Sequence, residues 1–178
     1  MPTDEELMQA AASGNMDAFG ELVRRHQRSA WNAAWRLLGD AAEAEDAAQD
    51  AFLKILDAAS RYRPTASFRT YLYRVVTRVC LDRLDKKRPH YVDRLPTSPS
   101  ADPDPPDTLA RRESADAVRR SLDALPPRQR AALVLRHYEN LSYQEIADAI
   151  GTSVKSVERL LARGRDALQG RLKEPGNA

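Results

Sequence analysis

Six of the eleven prolines in this 178-residue chain fall between Pro89 and Pro106. The stretch that holds them, RPHYVDRLPTSPSADPDPPDT, has neither a helical nor a strand period. Each proline removes a backbone donor and fixes φ, so residues 89–108 are expected to form an extended, flexible linker. The chain then divides into residues 1–88 and 109–174. Neither part shows the apolar alternation or Asn-Gly turns of hairpins, and both place apolar residues at helical spacing. The expected fold class is all-α: two small helical domains joined by a proline-rich linker.

In the first domain, Thr3 and Glu6 form a capping-box pattern, in which hydroxyl and carboxylate each satisfy a free backbone donor. That helix is expected to end near Ser13-Gly14, and Asp17 is the expected cap of the next. The next helix carries Phe19, Leu22, Val23, Trp31, Trp35 and Leu38, with the tryptophans read as core. A third runs from about Ala42 to Ala58. Glu43, Glu45, Asp46 and Asp50 lie in its first half, and Phe52, Leu53 and Leu56 are expected on its buried side. Acidic residues near a helix N-terminus favour the helix dipole. Asp46, Gln49 and Asp50 also lie within about one turn, where they suit a basic protein partner and repel DNA.

Residues 60–67 read as a loop, and a fourth helix starts near Ser67 and fades near Arg88. Leu72, Val75, Val76 and Val79 make its apolar stripe. Tyr62, Phe68 and Tyr71 beside Arg61, Arg63, Arg69, Arg74 and Arg78 permit two readings. Aromatics can stack on unpaired bases while arginines follow the backbone. Equally, the rings can plug the core with arginine heads spread over them. The residues alone do not choose.

In the second domain, a first helix ends before Pro126-Pro127 and a second runs to His137. SYQE, Ser142 to Glu145, is another capping box. It opens a short helix that buries Ile146, Ala147 and Ile150. Gly151 suits a tight turn, and Thr152 or Ser153 caps a last helix through about Leu172 whose inward face is Val154, Val157, Leu160 and Leu161. Two such helices across a glycine turn are the pattern of a helix-turn-helix. Lys155, Arg159 and Arg163, spaced by four, share its outward face, and Ser153 and Ser156 stand at its exposed start, where a recognition helix meets base edges and phosphates.

Charge is segregated along the chain. Residues 1–60 carry 5 basic and 11 acidic groups, residues 61–94 carry 10 and 3, and residues 111–178 carry 13 and 9. A local field of this kind matters more to phosphate contacts than the net +2. There is no Gly-rich phosphate loop, HExxH, GxSxG or paired Cys/His spacing, so no enzyme, metal or cofactor is expected. The single cysteine, Cys80, is read as a small apolar group. No apolar run approaches the roughly 18 residues of a membrane span and no signal-peptide pattern opens the chain. A cytoplasmic protein without membrane insertion is expected.

Four segments, in order, resemble the sigma-70 family of bacterial RNA polymerase sigma factors, in its compact extracytoplasmic-function (ECF) group. They are GNMDAFGELVRRH, AEDAAQDAFLKIL, FRTYLYRVVTRVCLDRL and LSYQEIADAIGTSVKSVERLLARGRDAL. The resemblance implies a promoter-specificity subunit of core polymerase that helps to open the −10 region. It implies docking on the large-subunit clamp helices through Asp46, Gln49, Asp50 and Phe52, and contact with the polymerase flap. Residues 61–68, including Arg61, Tyr62, Arg63, Ser67 and Phe68, correspond to the loop that captures a flipped base. Arg69, Tyr71, Arg74 and Arg78 lie on the helix set against −10 DNA. Ser153, Lys155, Ser156, Arg159 and Arg163 match the −35 reading helix. An anti-sigma factor covering both domains is a further implied partner. A linker of about 20 residues spans at most about 70 Å, about two turns of DNA, enough to bridge two promoter elements.

Overall fold

The computed structural model describes residues 1–87 and 109–173. The expected linker, residues 89–108, lies outside the described residues. Eight α-helices are seen among the described residues: α1 (Asp4–Ala12), α2 (Met16–Leu38), α3 (Ala41–Asp57), α4 (Phe68–Lys87), α5 (Leu109–Asp123), α6 (Pro127–His137), α7 (Tyr143–Ile150) and α8 (Val154–Lys173). A 3-10 turn, Ala59–Arg61, follows α3. No strand occurs among the described residues.

Local chemistry sets most helix ends. The Glu6 amide donates to Thr3 Oγ1 and the Thr3 amide to Glu6 Oε2, completing the first capping box. Asn15, rather than Asp17, caps α2: its Oδ1 accepts from the Ala18 amide at 3.1 Å. Asp17 instead sits in the first turn, where its charge meets the positive end of the helix. Gly39 ends α2 at φ 71°, a left-handed conformation that favours glycine. The next residue, Asp40, caps α3 through the Glu43 amide.

Helices α1 to α4 form one bundle, and α5 to α8 a second. In the first, α2 and α3 form the most extensive helix pair. Each brings buried alanines to the core, Ala30, Ala33 and Ala34 on α2 and Ala44, Ala47 and Ala51 on α3. Side chains this small let helix axes approach closely. In the second bundle, Leu133, Leu135, Ile146, Val157 and Leu161 are buried. A Cβ added at Gly164 would stand 2.8 Å from Leu133 Cδ1, so that glycine permits close packing of α8 on α6.

The two bundles touch. Helix α4 packs on α7, and α2 packs on α5 and α6. Among the described residues, no helix is long and apolar enough to cross a membrane, and no group of three or more His, Cys, Asp or Glu residues is placed to hold a metal ion.

Candidate polymerase and nucleic-acid interfaces

Helix periodicity sorts α3 into two faces. Ala44, Ala47, Ala48, Ala51, Phe52 and Ile55 are buried. Asp46 and Gln49 are exposed and Asp50 is partly exposed, with an Asp50 oxygen 3.8 Å from Arg83. Phe52 does not join them. It is 6 % exposed and meets Phe19 edge-on, ring centroids 6.5 Å apart, so it belongs to the core. The neighbouring residue reverses the expectation in the other direction. Leu53, read as buried from the sequence, is 59 % exposed. Residues 46, 49, 50 and 53 are spaced i, i+3, i+4 and i+7, which places them on one helix face. That spacing was visible in the sequence, but hydrophobicity drew Leu53 to the wrong side.

The loop before α4 is similarly divided. Arg61, Arg63 and Ser67 are exposed, whereas the Tyr62 side chain is half-buried. The Tyr62 ring lies 5.3 Å from that of Tyr71, and its buried hydroxyl has no hydrogen-bond partner. Burial first, then the nearby Glu5 carboxylate, raises its pKa. Ser67 Oγ caps α4 by accepting from the Thr70 amide at 3.2 Å. The Phe68 amide donates to Glu5 Oε1 at 2.9 Å, tying the start of α4 to α1.

Phe68 cannot receive a base in this arrangement. Its side chain is fully buried, 5.2 Å from the His26 ring and 6.4 Å from Tyr71. Tyr71 is half-buried, with its inner edge toward these rings and the Arg74 guanidinium 5.2 Å over its face. It therefore lies between core and surface, as a platform for the arginine. Cys80 is buried, and burial pushes its thiol up to about 12, which removes the reactive thiolate at neutral pH.

Two of the remaining arginines of α4 are engaged by the second bundle. Arg69 Nη2 donates to the Glu139 carbonyl at 2.9 Å and approaches its carboxylate at 3.5 Å. The Arg69 guanidinium also lies 5.0 Å from the Tyr73 ring. Burial, and secondarily Glu139, push the Tyr73 hydroxyl up to about 12. Arg78 Nη2 donates to the Asp148 carbonyl at 3.1 Å.

The helix-turn-helix is formed by α7 and α8. The Ser142 and Glu145 capping box is complete. The Glu145 pKa is lowered, first by the Ser142 amide, then by hydrogen bonds from Thr70 and Ser142. Gly151 takes φ 77° at the turn. Ser153, not Thr152, caps α8 by accepting from the Ser156 amide at 3.2 Å, and the two hydroxyls are 3.1 Å apart. Ser153, Lys155, Arg159 and Arg163 are exposed, and Ser156 is half-buried. Val157 and Leu161 hold the opposite face in the core, while Val154 and Leu160 are partly buried at its edge.

Sequence reasoning also missed the arginines outside the expected DNA surfaces. Arg130 is 7 % exposed. Its Nη1 donates to the Leu37 carbonyl and Nη2 to the Asp123 carbonyl, both at 2.6 Å. Burial lowers its pKa from the ordinary guanidinium value, partly countered by Asp123. Arg119 stacks 4.7 Å over Trp35 and donates to the Gly39 carbonyl at 3.3 Å. Trp31 and Trp35 are partly buried and stacked, centroids 6.0 Å apart, and Trp35 so serves the contact between bundles.

The family model described as Sigma-70 region 2 matches residues 22–90. That described as Sigma-70, region 4 matches residues 115–168. The chain is 32 % identical over 177 residues to the ECF RNA polymerase sigma factor SigE of Mycolicibacterium smegmatis, covering 94 % of this chain and 68 % of that protein. It is 36 % identical over 167 residues to the ECF RNA polymerase sigma factor SigM of Mycobacterium tuberculosis, covering 93 % and 83 %. A solved structure of CnrH in complex with the cytosolic domain of CnrY aligns with a TM-score of 0.71 at 29 % identity, covering 97 % of this chain and 99 % of that one. With both regions matched in order and a helix-turn-helix at the expected place, the chain belongs to the ECF group of the sigma-70 family of RNA polymerase sigma factors.

Proposed function

We propose that this sigma factor directs core polymerase through three separate surfaces. Residues 1–88 form the domain for polymerase docking and the −10 element, residues 109–174 the domain for the −35 element, and residues 89–108 connect them. Asp46, Gln49, Asp50 and Leu53 meet the clamp helices of the large subunit. Leu53 supplies the apolar centre that Phe52, being in the core, does not. Arg61, Arg63, Arg69, Arg74 and Arg78 follow the −10 strand, with Tyr62 and Tyr71 as the available stacking faces. Lys155, Arg159 and Arg163 meet the −35 duplex, with Ser153 and Ser156 organising the start of α8.

The observation that carries this reading is the separation of charge on exposed faces. The acids of α3 are unsuited to DNA and suited to a basic partner, whereas the bases of α8 lie on one open helix face. Promoter opening then draws on binding free energy rather than covalent chemistry, because capture of unpaired bases offsets unstacking of a few kcal/mol. The protein acts in the cytoplasm with core polymerase and promoter DNA. An anti-sigma factor is its expected antagonist; the structurally similar CnrH is solved in complex with the cytosolic domain of CnrY.

Reconstitution tests the reading. The chain with core polymerase should give specific transcripts from fragments of its own genome. Asp46→Lys with Asp50→Lys should abolish them by preventing holoenzyme assembly. Absence of any transcript from the unaltered holoenzyme would remove the reading's main support.

A further inference from the structure

Helix α1 precedes the residues matched to Sigma-70 region 2, and none of the three proposed surfaces includes it. Its own N-terminus is closed by Thr3 and Glu6. Glu5 is half-buried where its neighbour Glu6 is exposed, and its carboxylate crosses to another helix. Glu5 Oε1 accepts from the Phe68 amide at 2.9 Å. Phe68 is the first residue of α4, so this amide has no partner within its own helix. The Glu5 charge also meets the positive end of α4. Ser67 Oγ takes the Thr70 amide, so the two side chains divide the free donors of that turn.

Helix α1 reaches the same place by a second route. Asp4 Oδ2 lies 2.7 Å from His26 Nε2, and Asp4 Oδ1 accepts from Arg25 Nη1 at 3.0 Å. The His26 ring in turn stands 5.2 Å from that of Phe68. At the other end of the loop, α1 packs on the 3-10 turn Ala59–Arg61. Residues 62–67 therefore run between two elements that α1 braces.

We propose that Glu5 is a positioning residue for strand capture: by holding the Phe68 amide it fixes the end of the loop before α4, and with it the Tyr62 and Tyr71 rings offered to a base. This rests on the reading of that loop as part of the −10 surface. The Phe68 ring lies 6.4 Å from that of Tyr71, and Tyr71 lies 5.3 Å from Tyr62, so the three rings form one chain from the held amide into the loop. Glu5, an acid, is unsuited to touching phosphate and acts through the loop. A loop that already has its binding shape loses less freedom when the strand arrives. If the loop without Glu5 holds that shape one fifth of the time, apparent affinity for the strand falls about fivefold.

The test uses reconstituted holoenzyme on the genomic fragment that the wild type transcribes most strongly, with permanganate oxidation of unpaired thymines reading promoter opening. Glu5→Ala removes the acceptor. Glu5→Gln keeps an acceptor at the same net charge as Glu5→Ala. Arg61→Ala with Arg63→Ala tests the loop itself. Glu5→Ala should need about fivefold more holoenzyme for half-maximal opening, and Glu5→Gln should open close to wild type. Both should keep wild-type affinity for core polymerase and wild-type helix content by circular dichroism. Hydrogen exchange should find the Phe68 amide protected in the wild type and Glu5→Gln, and unprotected in Glu5→Ala. Wild-type opening by Glu5→Ala, equal loss in both Glu5 variants, or a Glu5→Ala protein that loses docking or helix content would overturn the proposal. Unchanged opening in the double arginine variant would refute the loop reading and the proposal with it. Loss there beside wild-type opening in Glu5→Ala would refute the positioning role alone.

Discussion

Leu53 and Phe52 are neighbours in the chain with opposite surroundings, so replacing each by alanine should separate docking from folding. Leu53 is 59 % exposed. Burying a whole leucine side chain is worth about 1.5–3 kcal/mol, so a partner covering the exposed share can gain roughly 1–2 kcal/mol. Leu53→Ala should therefore weaken binding to core polymerase by roughly 5–20-fold. Its effect on the melting temperature should be small, because little packing is lost. Phe52, at 6 % exposure against Phe19, should behave in reverse. Phe52→Ala should cost about 3–5 kcal/mol of folding free energy, which for a chain of this size lowers the melting temperature by roughly 6–20 °C. Competition against labelled wild-type protein for core polymerase, read by fluorescence anisotropy, gives the first quantity. Thermal melting followed by circular dichroism gives the second. Wild-type affinity in Leu53→Ala, with its fold intact, would refute the assignment of Leu53 to the docking face. Loss of docking in a normally stable Phe52→Ala would refute the division of α3 altogether.

Arg159→Ala should weaken binding to −35 duplex about equally across sequences if it meets phosphate, and should reduce the slope of log K against log salt by about 1; titrations at several salt concentrations decide this. Gly164→Ala should destabilise the second bundle by about 1–3 kcal/mol, because the new methyl meets Leu133; urea unfolding measures it. The folded-state pKa of Glu145 lies below its ordinary value of 4.5. The unfolded state thus takes up protons first as pH falls, so this contribution is complete above pH 4.5 and is lost as pH drops through the lower folded pKa. Protection factors of the α7 amides, taken relative to the intrinsic exchange rate at each pH, should fall over that window, and Glu145→Gln should flatten the response.

The helix-turn-helix was largely legible in sequence because its signals are local. Ser142 and Glu145 cap through side chains three residues from the amides they serve, Gly151 takes the turn itself, and Lys155, Arg159 and Arg163 share a face by helix geometry alone. The same local logic placed Asp46, Gln49 and Asp50 together on an outward face of α3. It failed at Leu53 and could not choose at Phe68 for a common reason: residue type states what a side chain prefers, while burial depends on which helix arrives opposite. The residues around Phe68 left core and base stacking equally open, and the family resemblance placed it in the base-capturing loop, yet in space its nearest ring is His26 of α2.

Composition and spacing by themselves thus determined that the chain is helical, where its helices cap and turn, and which charges share the exposed face of α8. Only tertiary structure decided what α4 faces. Its buried residues include Leu72, Tyr73, Val76, Thr77, Val79 and Cys80, a set too broad for a single stripe, because the helix is covered by the first bundle on one side and by α7 on another. The contacts between the bundles join residues about 70 or more positions apart, such as Arg69 to Glu139 and Arg130 to Leu37. Helix periodicity extends over a few turns, and an arginine in sequence carries no mark of the carbonyl it will meet, so those partners exist only once the two bundles are packed.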